Sequence, residues 1–205
     1  MTTTVDEFET ILKSVQAWQT GHFLLSSGMH SNEYIQCQKL LQYPRHGIAF
    51  AEAMVQRMLA GGIKPSAVVG PALGAVHWEA FVALALDRAL LAEPVRGIFA
   101  ERPDGTNFEI RRGVELKPGE KVFVVEDVTT TGGSAQKVVE LVRKLGAEPI
   151  GVGTIIDRSG GKAKFDVPFV SLIQMSLQTY APEDCPWCKE GSPVVKPGST
   201  KKPGA

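Results

Sequence analysis

Residues 122–135, VFVVEDVTTTGGSA, gather the side chains whose types and spacing can do chemistry. Four apolar residues make a buried strand, and Glu126 and Asp127 follow where that strand is expected to leave its sheet. Val128 and the hydroxyls of Thr129, Thr130 and Thr131 lead into Gly132, Gly133 and Ser134, just ahead of an amphipathic helix. Glycines at such a junction let successive N–H groups converge on one point, and the helix N-terminus adds partial positive charge. The result is a phosphate cup, with Thr and Ser hydroxyls as neutral donors and two carboxylates placed to accept hydrogen bonds from sugar hydroxyls. Together these suit a ribose 5-phosphate. The same letters also fit an ordinary strand–loop–helix corner capped by Thr and Ser. Against that reading, two adjacent acids at the end of an apolar strand cost stability unless something uses them. No GxxxxGK[ST] loop is present, no GxGxxG follows an early strand, and Gln136 interrupts a GxSxG elbow.

The elements that must position these groups read as an α/β alternation. Phe8, Ile11, Leu12 and Val15 recur at helical spacing from about 5 to 18, with Asp6, Glu7 and Glu9 near the start and Gly21 as the stop. Residues 22–38 read as a strand pair around the turn Ser26-Ser27-Gly28. Helices are predicted over about 45–59, 75–90 and 133–145, and strands over 67–69, 95–99, 121–126 and 150–156. Strands that are unbroken apolar runs, as in VFVV, specify a parallel sheet covered on both faces, whose ligands bind at the carboxyl ends of the strands.

The chain has 205 residues, one α/β domain's worth, and 43% of them are apolar, enough for a core. Lys plus Arg (22) balance Asp plus Glu (22), which argues against a nucleic-acid or membrane-surface protein. The N-terminal residues carry no secretory pattern and no run approaches a membrane span, so a cytoplasmic protein is expected. Of three cysteines, Cys185 and Cys188 lie close together, but a structural zinc site needs four ligands and no second pair exists. The pair is therefore read as a turn closing the C-terminal lobe, Cys37 as a small buried side chain, and residues 197–205 as a mobile tail.

Residues 122–135 resemble the phosphoribosyl pyrophosphate signature of type I phosphoribosyltransferases: a hydrophobic strand, two acids, a hydrophobic residue, then Thr-Thr-Gly-x-Ser. Three further stretches resemble the orotate-specific branch of that family. FLLSSGMHSNEYIQ (23–36) is similar to its N-terminal F-x-L-x-S-G-x-x-S-x-x-Y pattern, Ile155-Ile156-Asp157-Arg158 closes a strand with an arginine, and YAPEDCPWCKEGSPVVKPGS (180–199) is similar to its Cys-Pro-x-Cys tails. The resemblance spans about residues 20–199. It implies a single domain over 1–205: a parallel sheet flanked by helices, with a small hood from residues 1–40 and about 160–195.

By the resemblance, Tyr34 and Ile35 flank the pyrimidine, the backbone near Ser26 and Ser27 meets its carbonyls, and Thr130 touches orotate. Arg158 faces the orotate carboxylate, which a planar guanidinium can bind through two parallel bonds. Phosphoribosyl pyrophosphate is held by residues 126–134 and by Gly70, Pro71 and Ala72 of a Gly-rich turn, working through backbone N–H groups. Mg²⁺ is the implied cofactor, held by substrate and water without a direct protein ligand. The implied partners are the two small substrates and a second copy of the chain in a homodimer. His77 reads as a helix-face residue. The family's mobile loop falls on residues 101–120, where Glu101-Arg102 stands in place of an Arg-Lys pair and no lysine or histidine separates Arg102 from Arg112. Neutralising the leaving group thus falls to Arg102, Arg111 and Arg112, none of which titrates near neutrality. Catalysis is assigned to Arg102, Glu126 and Asp127. Two rivals stay open: a purine phosphoribosyltransferase, and a regulator that senses phosphoribosyl pyrophosphate without turnover.

Overall fold

The apolar runs become the centre of a parallel sheet. The computed structural model describes residues 4–91 and 94–197. Strands β3 (Ala67–Pro71), β4 (Arg96–Ala100), β5 (Lys121–Thr129), β6 (Glu148–Asp157) and β7 (Phe169–Gln174) pair in parallel in the order β4-β3-β5-β6-β7. Helix α4 (Val76–Leu90) links β3 to β4, and α5 (Gly133–Lys144) links β5 to β6. Alternation along β5 divides two cores. Phe123 and Val125 face Phe8 and Leu12 of α1 (Val5–Ser14), Phe50 and Met54 of α3 (Pro44–Ala60), and Trp78 of α4. Val122 and Val124 face Val138, Val139 and Val142 of α5, together with Phe108 and Leu116. Phe123 lies on a glycine patch of β6: a Cβ on Gly153 would come within 2.5 Å of its ring, and one on Gly151 within 2.9 Å.

An antiparallel hairpin stands apart from this sheet: β1 (Trp18–Leu24) and β2 (His30–Ile35), joined at the expected turn with Gly28 at φ +84°. A short α2 (Gln38–Leu41) follows it. The C-terminal segment meets the hairpin through backbone bonds between His30 and Tyr180 (2.8 and 2.9 Å), His22 and Val195 (2.8 Å), and Leu24 and Val195 (2.9 Å).

Three boundaries differ from the sequence reading. The first helix stops at Ser14, because Gln16 turns the chain at φ +56° and Trp18, though in helical phase, pairs with Ile35 and donates to Glu33 at 2.8 Å. Gly21 consequently lies inside β1. The expected hood is too broad: α1 packs in the main core and β7 extends the main sheet, so only the hairpin and the chain beyond β7 meet as a small lobe. Cys185 and Cys188 are not a bare turn; they open and occupy a helical turn, α6 (Pro186–Lys189), beside His22 and His30. Cys37 is buried as expected. Of the tail, all but Pro197 lies outside the described residues.

Candidate active site

β5 pairs with β3 only as far as Val124 but with β6 as far as Thr129. Glu126 and Asp127 therefore sit within the strand, not beyond its end, and the β3 side of both is open to the β3–α4 turn. That turn comes close: a Cβ on Gly74 would stand 3.0 Å from Asp127 Oδ1. Gln38 steadies it by donating Nε2–H to the Gly74 carbonyl at 2.6 Å, a role the sequence did not signal. Thr154 Oγ1 donates to the Asp127 carbonyl at 3.2 Å. Burial and the neighbouring Asp127 charge push Glu126 up to about 7, although hydrogen bonds from Ser134 and Thr129 oppose the shift. Burial raises Asp127 as well, against backbone N–H bonds that favour its ionised form. Ionising these two half-buried acids is costly in the free protein, and hydroxyl donors or a cation beside them would favour the charged form.

The loop after β5 has the expected cup geometry. Gly132 takes the left-handed conformation at φ +80° as the N-cap of α5, where a Cβ would press within 3.0 Å of Phe165. With glycine there, no side chain caps α5; Thr131 Oγ1 accepts only the Gly133 N–H, at 3.4 Å. Thr129 is buried under the cup, whereas Thr130 and Thr131 are exposed.

Opposite the cup, residues 101–112 fold as a flap. Glu101 and Glu109 exchange two backbone bonds of 2.9 Å, and Asp104 pins the tip by accepting the N–H groups of Thr106 and Asn107 at 2.8 Å, which holds its own carboxyl far below the usual range. Phe108 anchors the flap in the core and carries the Arg102 guanidinium 4.1 Å above its ring. From there Arg102 Nη2 donates to Ser134 Oγ at 3.0 Å, at the start of α5. Arg111 and Arg112 instead pair with Glu101, so of the three expected cations only Arg102 reaches the cup. A pocket of about 430 Å³ lies between flap and turn, its lining including Ala72, Leu73, Phe99, Glu101, Arg102 and Arg112.

The donors of the β3–α4 turn differ from those expected. Gly70 is within β3, Pro71 has no N–H, and the Ala72 N–H is spent on the Ala100 carbonyl at 2.8 Å. Among the described residues the N–H groups of Leu73 and Gly74 have no protein acceptor, which makes them the turn's available donors. His77 is an exposed helix residue, as expected.

On the other side of β5, Arg158 follows β6 directly and its N–H donates to the Thr129 carbonyl at 2.8 Å. Its Nε is buried with no hydrogen-bond partner. Burial lowers the pKa of this guanidinium, while nearby Tyr34, Cys37 and Glu33 oppose that shift. Tyr34 is half-buried, its hydroxyl raised by burial and held back by Arg158. Ile35, next along the strand, points the other way into the main core, so the two side chains cannot flank one ring. Ser27 is exposed in the hairpin turn, where its Oγ accepts the Met29 N–H at 3.4 Å; no bond joins it to the other site residues.

Comparison with known proteins agrees with this geometry. A chain from Caldanaerobacter subterraneus named orotate phosphoribosyltransferase is 48% identical over 191 residues, 93% of this chain and 95% of that one. One of the same name from Thermotoga maritima is 49% identical over 189 residues, 92% of this chain and 96% of that one. The crystal structure of orotate phosphoribosyltransferase from Aeropyrum pernix superposes with a TM-score of 0.62 at 27% identity, covering 82% of this chain and 93% of that one. The family model for the phosphoribosyl transferase domain matches residues 36–187, a span that runs from the Gln38 turn contact through the acid pair, the cup and Arg158. The chain belongs to the phosphoribosyl transferase domain family.

Proposed function

We propose that the chain transfers the 5-phosphoribosyl group from phosphoribosyl pyrophosphate to N1 of orotate, forming orotidine 5′-monophosphate and pyrophosphate, a step of pyrimidine nucleotide synthesis. The observation that carries this reading is Arg158: a half-buried guanidinium with an unpartnered Nε, beside Tyr34 and against the end of β5. A planar carboxylate is the group that completes such a donor, and among nucleobase-like acceptors orotate carries one.

The rest of the reaction follows from this chain's own groups. The α5 N-terminus and the Thr and Ser hydroxyls take the 5′-phosphate. Glu126 and Asp127 accept hydrogen bonds from the ribose hydroxyls and steady the positive charge that develops as the bond from C1 to the pyrophosphate oxygen breaks. Orotate N1 forms the new bond to C1 as its N–H bond breaks, and pyrophosphate leaves with the electron pair of the C1–O bond and takes up that proton. The Leu73 and Gly74 N–H groups and Arg102 lie where that charge accumulates, and arginine neutralises it without giving up a proton. Closing the flap over this pocket excludes water that would otherwise take the sugar. The oxygen-rich acid pair suits Mg²⁺, held through the substrate and water near Glu126 and Asp127; when bound it supplies charge neutralisation at the pyrophosphate. The reading includes a cytoplasmic homodimer, for which light scattering on the purified chain is the test of assembly. No helix of the described residues is long and apolar enough to cross a membrane.

The test is a spectrophotometric assay with phosphoribosyl pyrophosphate, Mg²⁺ and, separately, orotate, hypoxanthine, adenine and xanthine. Turnover of orotate alone is expected. Turnover of a purine but not orotate overturns the base assignment, and binding of phosphoribosyl pyrophosphate without any turnover points to a sensor.

A further inference from the structure

Apart from the acid pair and the cup, the hairpin and the C-terminal segment meet at four side chains that the proposed reaction does not use. His22 of β1 and His30 of β2 bring their ring nitrogens, Nε2 and Nδ1, to 2.9 Å. Cys185 Sγ lies 3.4 Å from His22 Nε2, and Cys188 Sγ lies 3.7 Å from that nitrogen and 3.3 Å from His30 Nδ1. All four atoms fall within 4.8 Å of one another, and His22, His30 and Cys185 are buried. The cysteines are free thiols.

We propose that His22, His30, Cys185 and Cys188 form a structural zinc site that staples the C-terminal segment to the hairpin. With Zn–N bonds of about 2.0–2.1 Å and Zn–S bonds of about 2.3 Å, a tetrahedron sets each N···S separation near 3.5 Å and N···N near 3.3 Å. Three of the four N···S separations, 3.3, 3.4 and 3.7 Å, bracket the first figure, the fourth lies within 4.8 Å, and the nitrogens need to part by only a few tenths of an ångström. The outer contacts point the same way. His22 Nδ1 lies 3.0 Å from the Ser192 carbonyl, an acceptor that requires the proton on Nδ1 and so leaves the Nε2 lone pair facing the cluster. Trp187 packs 6.1 Å from the His22 ring and Tyr180 packs 5.6 Å from Trp187, giving the site an aromatic wall. Two thiolates and two neutral imidazoles balance the charge of a divalent ion, and the thiolates select zinc over hard cations such as Mg²⁺.

The site has structural work to do. A two-stranded hairpin is marginal alone, and this one presents Tyr34 to the base pocket while a few backbone bonds join it to the C-terminal segment. A bond network between residues 163 positions apart, as His22 and Cys185 are, closes the lobe directly.

The test uses the full chain, purified under reducing conditions and equilibrated with Zn²⁺, then separately with Co²⁺. One zinc per chain is expected, as is a Co²⁺ spectrum with strong tetrahedral d–d bands and thiolate-to-cobalt charge transfer. Cys188→Ser, at the exposed ligand, should weaken metal retention at least tenfold against a chelator and reduce the charge-transfer intensity by half. Stripping zinc should lower the thermal midpoint of the parent and lower that of Cys188→Ser by less. No zinc uptake by the parent, a cobalt spectrum without thiolate bands, or unchanged retention in Cys188→Ser overturns the site. A thermal midpoint indifferent to zinc overturns the staple. None of these readouts depends on which base the enzyme uses.

Discussion

Replacing Arg158 by alanine separates recognition of the base from recognition of the sugar phosphate. In the free protein the Nε of Arg158 is already desolvated and unpartnered, so the cost of burying it has been met before any ligand arrives. A carboxylate seated on the guanidinium then gains two charge-assisted hydrogen bonds with little offsetting loss, about 1.5–3 kcal/mol each. Losing both raises the barrier by about 3–6 kcal/mol, which at about 1.4 kcal/mol per tenfold is a fall in kcat/KM for orotate of about 10² to 10⁴. Arg158→Lys keeps the charge but not the planar fork and should fall between. Steady-state kinetics with orotate and with uracil, the same ring without the carboxylate, isolates the effect. In the parent orotate should far exceed uracil; in Arg158→Ala the two should converge, with KM for phosphoribosyl pyrophosphate within about threefold of the parent's. If orotate keeps its advantage over uracil in Arg158→Ala, or if affinity for phosphoribosyl pyrophosphate falls as much as orotate turnover, the guanidinium is not the carboxylate receptor and the base assignment loses its support.

Glu79, buried in α4 with an unpartnered Oε2 against Gly97, is pushed up to about 8 by burial. Because its folded pKa lies above its unfolded value near 4.5, the stability it allows is fully present below 4.5 and is lost as pH rises toward 8, by up to about 1.4 kcal/mol per unit. Urea denaturation across that window should show the slope in the parent and a flatter profile in Glu79→Gln; parallel profiles refute it. Gly153→Ala places a Cβ 2.5 Å from the Phe123 ring and should destabilise by about 1–3 kcal/mol, seen as a lower urea midpoint, and an unmoved midpoint would show that the core has room to give. Arg102→Ala should lower kcat by about 10²–10³ with a small change in orotate KM, and Arg102→Lys should recover part of it; equal loss in both variants would assign Arg102 to shape instead of charge.

The sheet was legible because its strands are unbroken apolar runs between glycines, a pattern that leaves few alternatives to a covered parallel sheet. Val122, Phe123, Val124 and Val125, all fully buried, needed no partner to be recognised as central. β7 was missed for the opposite reason. As an edge strand it leaves Phe169, Val170 and Ser171 only half-buried, so its letters carry no continuous apolar signal. Trp18 misled the helix boundary because amphipathic phase continues through it, while its indole finds a better position across the hairpin from Ile35 and against Glu33.

The site was legible where its chemistry is local. Residues 126–134 act through one strand end and one helix start, so order along the chain is nearly order in space. The turn donors and the flap cations were not, since which N–H is free depends on a bond from Ala72 to Ala100, and which arginine is free depends on Glu101. The four-ligand cluster lies between these cases. Cys185 and Cys188 announce themselves by spacing, whereas His22 and His30 do not. Leu24 stands opposite His30, but the pairing is irregular between Thr20 and Phe23, the interval that holds His22, so simple alternation does not fix the face of His22. His22 nevertheless meets His30 at 2.9 Å, so the pair that the cysteines lacked shows in the folded hairpin and not in the alternation of its letters.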